Sequence, residues 1–193
     1  MEIFKYKNYD DYVDAQTEAN IKKIKNYWVN ESTIKSIHKR KPDASVILCH
    51  GTRNAKEQKH FKKLYSNANI LGTEISKTAS QFEMTIQHDF QEELISHFKM
   101  CDIVYSNSFD HSINPEKTLE VWLNQLNSTG TLYIEVPLGI DNMSNRWDPL
   151  SIDISEIQEI IEKYGFTIIE KFDTIAGMKS DSRTKTIAIA LKK

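Results

Sequence analysis

Cysteine is scarce in this sequence: Cys49 and Cys101 are the only two among 193 residues. Two thiols cannot build a disulfide framework, and both fall in apolar, strand-like segments where a thiol behaves as a small hydrophobe. A reduced, cytoplasmic protein is therefore expected. Neither sign of charge prevails, with 25 Lys plus Arg against 27 Asp plus Glu and a formal net charge of −2. Without a basic field the chain is a poor fit to nucleic-acid phosphates or an anionic membrane surface, and Glu57 interrupts its one lysine-rich helical stretch, Lys56 to Lys63. No apolar run approaches the roughly 20 residues of a membrane span. The opening Met1-Glu2-Ile3-Phe4-Lys5 turns polar at once and lacks the apolar core of a secretory signal. No C-x-x-C or H-E-x-x-H spacing occurs and the 6 histidines are scattered, so no metal is expected. G-x-S-x-G is also missing, which leaves Ser108, Asp110 and His111 near one another without the elbow of a serine hydrolase.

The remaining composition, 39% hydrophobic, suits one globular domain with a single core. Before Pro42 the pattern is helical. Val13, Ile21, Ile24 and Trp28 recur at helical multiples over Asp10 to Asn30, and Ile34 and Ile37 mark a second helix from Ser32 to Lys39. Residues 1–41 are thus predicted to form a helical N-terminal cap on a compact unit of residues 42–193. After Pro42 strands and helices alternate, the signature of an α/β fold whose largely parallel sheet is covered on both faces, a three-layer sandwich. Strands are predicted at Ser45–Cys49, Asn69–Ile75, Met84–His88, Asp102–Tyr105, Thr131–Val136, Phe166–Phe172 and Lys185–Leu191. Helices are predicted at Ala55–Tyr65, Gln91–Phe98, from Pro115 with Leu119, Trp122, Leu123 and Leu126 inward, and at Ser155–Tyr164. Gly130 is expected to close the turn before Thr131. Asp173 to Thr184 is polar, contains Gly177 and has no helical stripe, whereas a parallel crossover usually needs a helix. The last two strands should therefore be antiparallel, unlike the sheet of a dinucleotide-binding dehydrogenase domain.

In an open α/β sheet, ligands lie beyond the carboxyl ends of the strands, near the point where strand order reverses. After the first strand comes Cys49-His50-Gly51-Thr52-Arg53-Asn54-Ala55, a tight turn whose Gly51 permits close backbone approach. The second strand ends in Gly72-Thr73-Glu74-Ile75, placing a carboxylate where it can accept bonds from two ribose hydroxyls. The third ends in His88-Asp89-Phe90, a carboxylate beside an aromatic ring suited to an adenine face. Any one of these acids is also an ordinary turn residue or helix cap. Their recurrence after successive strands, in register with Gly51, is what points to a site.

Together with Tyr105-Ser106-Asn107-Ser108-Phe109-Asp110-His111, these segments resemble a class I S-adenosylmethionine-dependent methyltransferase from Pro42 onward. The resemblance implies a Rossmann-like, seven-stranded sheet whose last strand is antiparallel. It implies S-adenosylmethionine as cofactor, with His50, Gly51, Thr52 and Arg53 around its methionine part, Glu74 and Ile75 at the ribose, and Asp89 and Phe90 at the adenine. Ser106 and Asn107 would border the sulfonium. The chain departs from the family at the first loop: Cys49 replaces an acidic residue, and Arg53 and Ala55 stand where two further glycines are usual. Arg53 either holds the cofactor carboxylate or is a surface side chain, and Asn54 is expected to cap the following helix.

Methyl transfer needs in-line placement of the acceptor, plus a base only if the acceptor must lose a proton. Asp110 and His111 are the catalytic candidates, with helix capping or packing as the alternative for each; Glu135 is a further, weaker candidate. The expected acceptor is a small molecule or sugar-like metabolite. The loop from Pro137 to Pro149, carrying Trp147 and Asp148, is long enough for a lid or acceptor wall, and Tyr27 and Trp28 are read first as packing residues. Two other functions remain open at this level: a non-catalytic cofactor-binding or scaffolding relative of the fold, and a nucleotide-dependent oxidoreductase.

Overall fold

A computed structural model of the chain describes residues 1–138, 143–175 and 184–192. The chain opens with the two-residue strand β1 (Glu2–Ile3), followed by helices α1 (Tyr9–Lys22) and α2 (Glu31–Arg40). Then come β2 (Val46–His50), α3 (Lys56–Leu64), β3 (Asn69–Glu74), β4 (Thr85–Gln87) and β5 (Cys101–Ser106). The last part holds α4 (Pro115–Gln125), β6 (Leu126–Pro137), β7 (Leu150–Ser151), α5 (Ile154–Glu162), β8 (Phe166–Ile175) and β9 (Thr184–Lys192).

The main sheet is seven-stranded, in the order β4-β3-β2-β5-β6-β9-β8. β4, β3, β2, β5 and β6 pair in parallel, and β9 runs antiparallel to both β6 and β8. Residues 176–183, which include Gly177, lie outside the described residues. β1 and β7 form a separate antiparallel pair. Nothing in the sequence pattern announces that pair, because two residues carry no period.

Strand alternation sorts the core into two halves. Leu48, Val104, Leu132 and Ile134 pack with Leu119 and Trp122 of α4 and Ile157 and Ile161 of α5. Ile47, Cys49, Ile103, Tyr105 and Tyr133 pack instead with Ile34 and Ile37 of α2 and Phe61 of α3. Successive strand side chains point to opposite faces, so each near-continuous apolar strand serves both layers. Both cysteines are buried free thiols. No described helix is long and apolar enough to cross a membrane.

Three expected elements differ. The first helix stops at Lys22 rather than continuing to Asn30; the carbonyls of Ile24 and Asn26 are turned to accept from Asn54 Nδ2 at 2.8 and 2.9 Å. Asn54 therefore does not cap α3, whose N-cap position is Ala55. The helix expected over Gln91 to Phe98 is reduced to a 3-10 turn at Ile95–His97: the side chains turned inward are Gln91, Leu94 and His97, of which only the partly buried Leu94 is apolar, while Ile95 is 82% exposed. Gly130 lies inside β6 instead of ending a turn, and a Cβ there would come within 2.6 Å of the Cys101 carbonyl oxygen.

Candidate functional site

The chain leaves β2 toward β3 on one side while β5 flanks it on the other, so strand order reverses at β2, and the site opens beyond the strand tips at this point. Gly51 has φ +69°, and a Cβ there would stand 2.6 Å from the Ser108 Cβ. The absence of a side chain thus lets the loop after β2 close against the loop after β5, where Ser108 Oγ donates to the Gly51 carbonyl at 3.0 Å. Arg53 (φ 41°) and Ala55 (φ 59°) are also left-handed. The turn thereby keeps glycine-like backbone at the two positions where glycines were missing, at a cost of roughly 1–2 kcal/mol per residue.

Two connected spaces lie over this turn, sharing Gly51, Arg53, Ser108 and His111. The narrower cleft, about 40 Å³, is lined by Glu74, Ile75, Asp89 and Phe90 together with Tyr12 and Gln16 of α1. Glu74 is 7% exposed. Its two oxygens accept from the backbone N–H of Arg53 at 3.1 Å and of Ser76 at 2.9 Å. Each carboxylate oxygen offers two lone-pair directions, so the protein's bonds orient the group and leave capacity for two more donors. Burial raises the Glu74 pKa, with the Ser76 N–H and the Arg53 charge opposing the rise. Asp89 accepts from the Gln91 N–H at 2.9 Å and from the Tyr9 hydroxyl at 2.6 Å, while Tyr12, Gln16, Ala19 and Asn20 make α1 one wall of the cleft.

The wider cavity, about 190 Å³, is lined by Thr52, Arg53, Glu57, Asn107, Asp110, His111 and Asp148, with Lys23, Tyr27 and Trp28 from the segment after α1. The Arg53 guanidinium lies 4.6 Å from the Trp28 ring centroid. Its burial lowers the Arg53 pKa, while Glu74, Glu57, Asp148 and Asp110 pull it back up. His111 Nδ1 contacts Gln16 Oε1 at 2.7 Å, and Gln16 Nε2 donates to the Trp147 carbonyl at 3.2 Å. That second bond turns the amide oxygen toward His111, so Nδ1 carries the proton and Nε2 faces Asp148 Oδ1 at 3.7 Å. Burial alone would raise the Asp148 pKa, but His111 and then Lys23 hold it below the usual carboxylate range. Asp110, His111 and Asp148 bring metal-ligand donor types within 4.8 Å of one another. Local spacing cannot register such a cluster, since Asp148 arrives from a distant loop.

Most of the residues singled out in the sequence converge here: Gly51, Thr52, Arg53, Glu74, Ile75, Asp89, Phe90, Asn107, Asp110 and His111 line one space or both. His50 does not. It ends β2 fully buried, stacked on Trp122 at 5.0 Å and bonded to Thr73 Oγ1 and Gln125 Oε1, and burial drives its pKa down to about 3. Ser106 is equally buried; its hydroxyl donates to the His50 carbonyl and accepts from the Ser108 N–H, stapling the two loops rather than lining the site. Glu135 is fully buried and bonded by the Tyr105 hydroxyl, away from both spaces. Glu57 is a functional candidate that sequence reading overlooked. The signal was present, because Glu57 precedes the inward Phe61 by one helical turn and shares its face.

No family model matches the sequence, and no curated protein matches it. Solved structures do. A S-adenosylmethionine-dependent methyltransferase from Anabaena variabilis superposes with a TM-score of 0.71 at 13% identity, covering 100% of this chain and 98% of that one. The 1,6-didemethyltoxoflavin-N1-methyltransferase of Burkholderia thailandensis, solved with 1,6-didemethyltoxoflavin and S-adenosylhomocysteine, gives 0.70 at 12% identity over 95% of this chain and 86% of its own. The chain has the methyltransferase fold. The [4+2]-cyclase SpnF shares that fold, with a TM-score of 0.66 at 11% identity over 92% and 93% of the two chains.

Proposed function

We propose that this chain is a S-adenosylmethionine-dependent methyltransferase acting on a small-molecule acceptor. The observation that carries the reading is the placement of Glu74 and Asp89, at the tips of neighbouring strands, on one cleft that opens into the cavity holding His111. The residues fit the cofactor: Glu74 has spare acceptor capacity for a ribose diol, Asp89 and Phe90 offer an acceptor and an apolar face for adenine, and Arg53 offers a cation for a carboxylate. The B. thailandensis neighbour, which carries S-adenosylhomocysteine and a small-molecule substrate, supports the same assignment.

Bound there, the cofactor supplies an electrophilic methyl group. This chain's residues do the rest. Glu74 and Asp89 fix the nucleoside, while Asn107 and Ser108, just past β5, border the place where acceptor and methyl meet. His111 Nε2 takes a proton from an acceptor that must lose one, and Asp148 stabilises the resulting imidazolium. Residues 1–41 cap the site, Tyr12, Gln16, Ala19 and Asn20 of α1 walling the nucleoside cleft; because β1 belongs to this segment, the cap is not wholly helical.

One observation favours the runner-up, a cofactor binder without catalysis: the cleft is narrow, and the Tyr9 hydroxyl already occupies an oxygen of Asp89, one of its lining residues. Calorimetry tests both readings. S-adenosylhomocysteine is expected to bind in the micromolar range and to weaken at least about tenfold in Glu74→Ala, the loss of a charged hydrogen-bonding group. Absence of binding to the wild type overturns the proposal. Binding without methyl transfer to any member of a small-molecule acceptor panel favours the runner-up.

A further inference from the structure

Two residues of opposite charge on the wall of the wider cavity each carry a buried polar atom without a hydrogen-bond partner. Glu57, on the first turn of α3, is 4% exposed and receives Asn107 Nδ2 on Oε1 at 3.1 Å, while its Oε2 is buried with no hydrogen-bond partner. Arg53, four residues earlier in the loop between β2 and α3, has its Nε buried without a partner. Both side chains line the cavity. A buried carboxylate oxygen or guanidinium N–H left unsatisfied costs free energy that a complementary ligand restores. An acid and a base presented together match one compact chemistry, the zwitterion of an α-amino acid, whose carboxylate pairs with the planar guanidinium and whose ammonium needs an anionic acceptor. A metal ion is a poorer match, since the donor cluster formed among the described residues, Asp110, His111 and Asp148, does not include Glu57.

We infer that Glu57 receives the ammonium, and Arg53 the carboxylate, of an α-amino-acid zwitterion, and that this zwitterion is the amino-acid end of the cofactor. The inference rests on the proposed function. It adds to it a residue whose own charge, and with it the affinity for the ammonium, changes around neutral pH, because burial lifts the Glu57 pKa to about 7. Its own backbone N–H, then Asn107 and Arg53, favour the charged form of Glu57, and Glu135 on β6 opposes it; Tyr105 on β5 and Cys49 on β2, their own pKa values raised by burial, also face it.

Two ligands separate the possibilities: S-adenosylhomocysteine, which carries the zwitterion, and 5′-methylthioadenosine, which has the nucleoside without it. Glu57→Gln is expected to weaken S-adenosylhomocysteine about tenfold to a hundredfold, the range for a charge-assisted bond, and to leave 5′-methylthioadenosine within about twofold. In the wild type, S-adenosylhomocysteine should bind about tenfold more tightly at pH 8 than at pH 6, as Glu57 ionises and the ligand's ammonium stays protonated, while 5′-methylthioadenosine stays flat. The pH comparison needs no variant, so it decides the matter even if Glu57→Gln fails to fold. Equal weakening of both ligands, or none, overturns the inference while leaving the cofactor site intact. If the variant also loses a thermal shift that free α-amino acids produce in the wild type, with S-adenosylhomocysteine affinity unchanged, the zwitterion is the acceptor's and the assignment to the cofactor falls. Failure of the wild type to bind either nucleoside removes the cofactor reading itself, and the inference with it.

Discussion

Glu57→Gln should stabilise the ligand-free protein at alkaline pH, because it removes a charge that the fold buries without fully solvating. The Glu57 pKa is raised by burial from 4.5 to about 7. The unfolded chain therefore releases this proton at lower pH than the folded chain does. As pH rises from 4.5 through 7 the folded state loses ground, and above 7 the full penalty applies. At about 1.4 kcal/mol per pH unit the gap corresponds to about 3 kcal/mol, a sizeable part of the roughly 5–15 kcal/mol that holds a domain folded. Glutamine removes the titration and keeps an amide oxygen for Asn107 Nδ2. Urea denaturation of both proteins at pH 5 and pH 8 is the assay. The variant's advantage over wild type should be larger at pH 8 by about 2–3 kcal/mol. An advantage that does not change with pH refutes the reasoning, since a packing effect of the substitution would not titrate.

Tyr9→Phe deletes the hydroxyl that occupies Asp89 beside the proposed nucleoside cleft; freeing Asp89 of a bond worth about 1 kcal/mol should tighten S-adenosylhomocysteine about fivefold by calorimetry, and unchanged affinity would show that Tyr9 does not compete with the ligand. Gly51→Ala places a Cβ 2.6 Å from the Ser108 Cβ at a φ of +69°, for an expected loss of about 2–4 kcal/mol in chemical denaturation. For a transferred acceptor that must lose a proton, His111→Gln should lower kcat about a hundredfold or more while S-adenosylhomocysteine affinity moves less than about threefold; an unchanged kcat removes His111 as the base.

Much of the sheet was legible because its strands are nearly uninterrupted apolar runs, and a polar connection without a helical stripe told that the last two strands are antiparallel. The acids at the tips, Glu74 and Asp89, were legible for the same reason: once the strands are placed, the residues that follow them must converge. Other residues could not be assigned from local pattern. His50 reads as a loop residue beside Gly51, yet it completes β2 and its ring enters the α4 layer against Trp122. Glu57 hides among lysines that suggest a solvated helix. Asp148 and Tyr9 meet His111 and Asp89 only through tertiary contacts, about which sequence spacing is silent. The first helix was drawn too long because Ile24 and Trp28 keep its period after the backbone has left it, their segment being bound by Asn54 instead.

The most direct test is a crystal structure of the protein grown with S-adenosylhomocysteine. The adenosine should lie between Glu74 and Asp89, with both ribose hydroxyls on Glu74, the Tyr9–Asp89 bond broken and the sulfur beside Asn107. Ligand density elsewhere on the protein, or an empty cleft with Tyr9 still bonded to Asp89 at saturating ligand, would contradict a cofactor site at these strand tips.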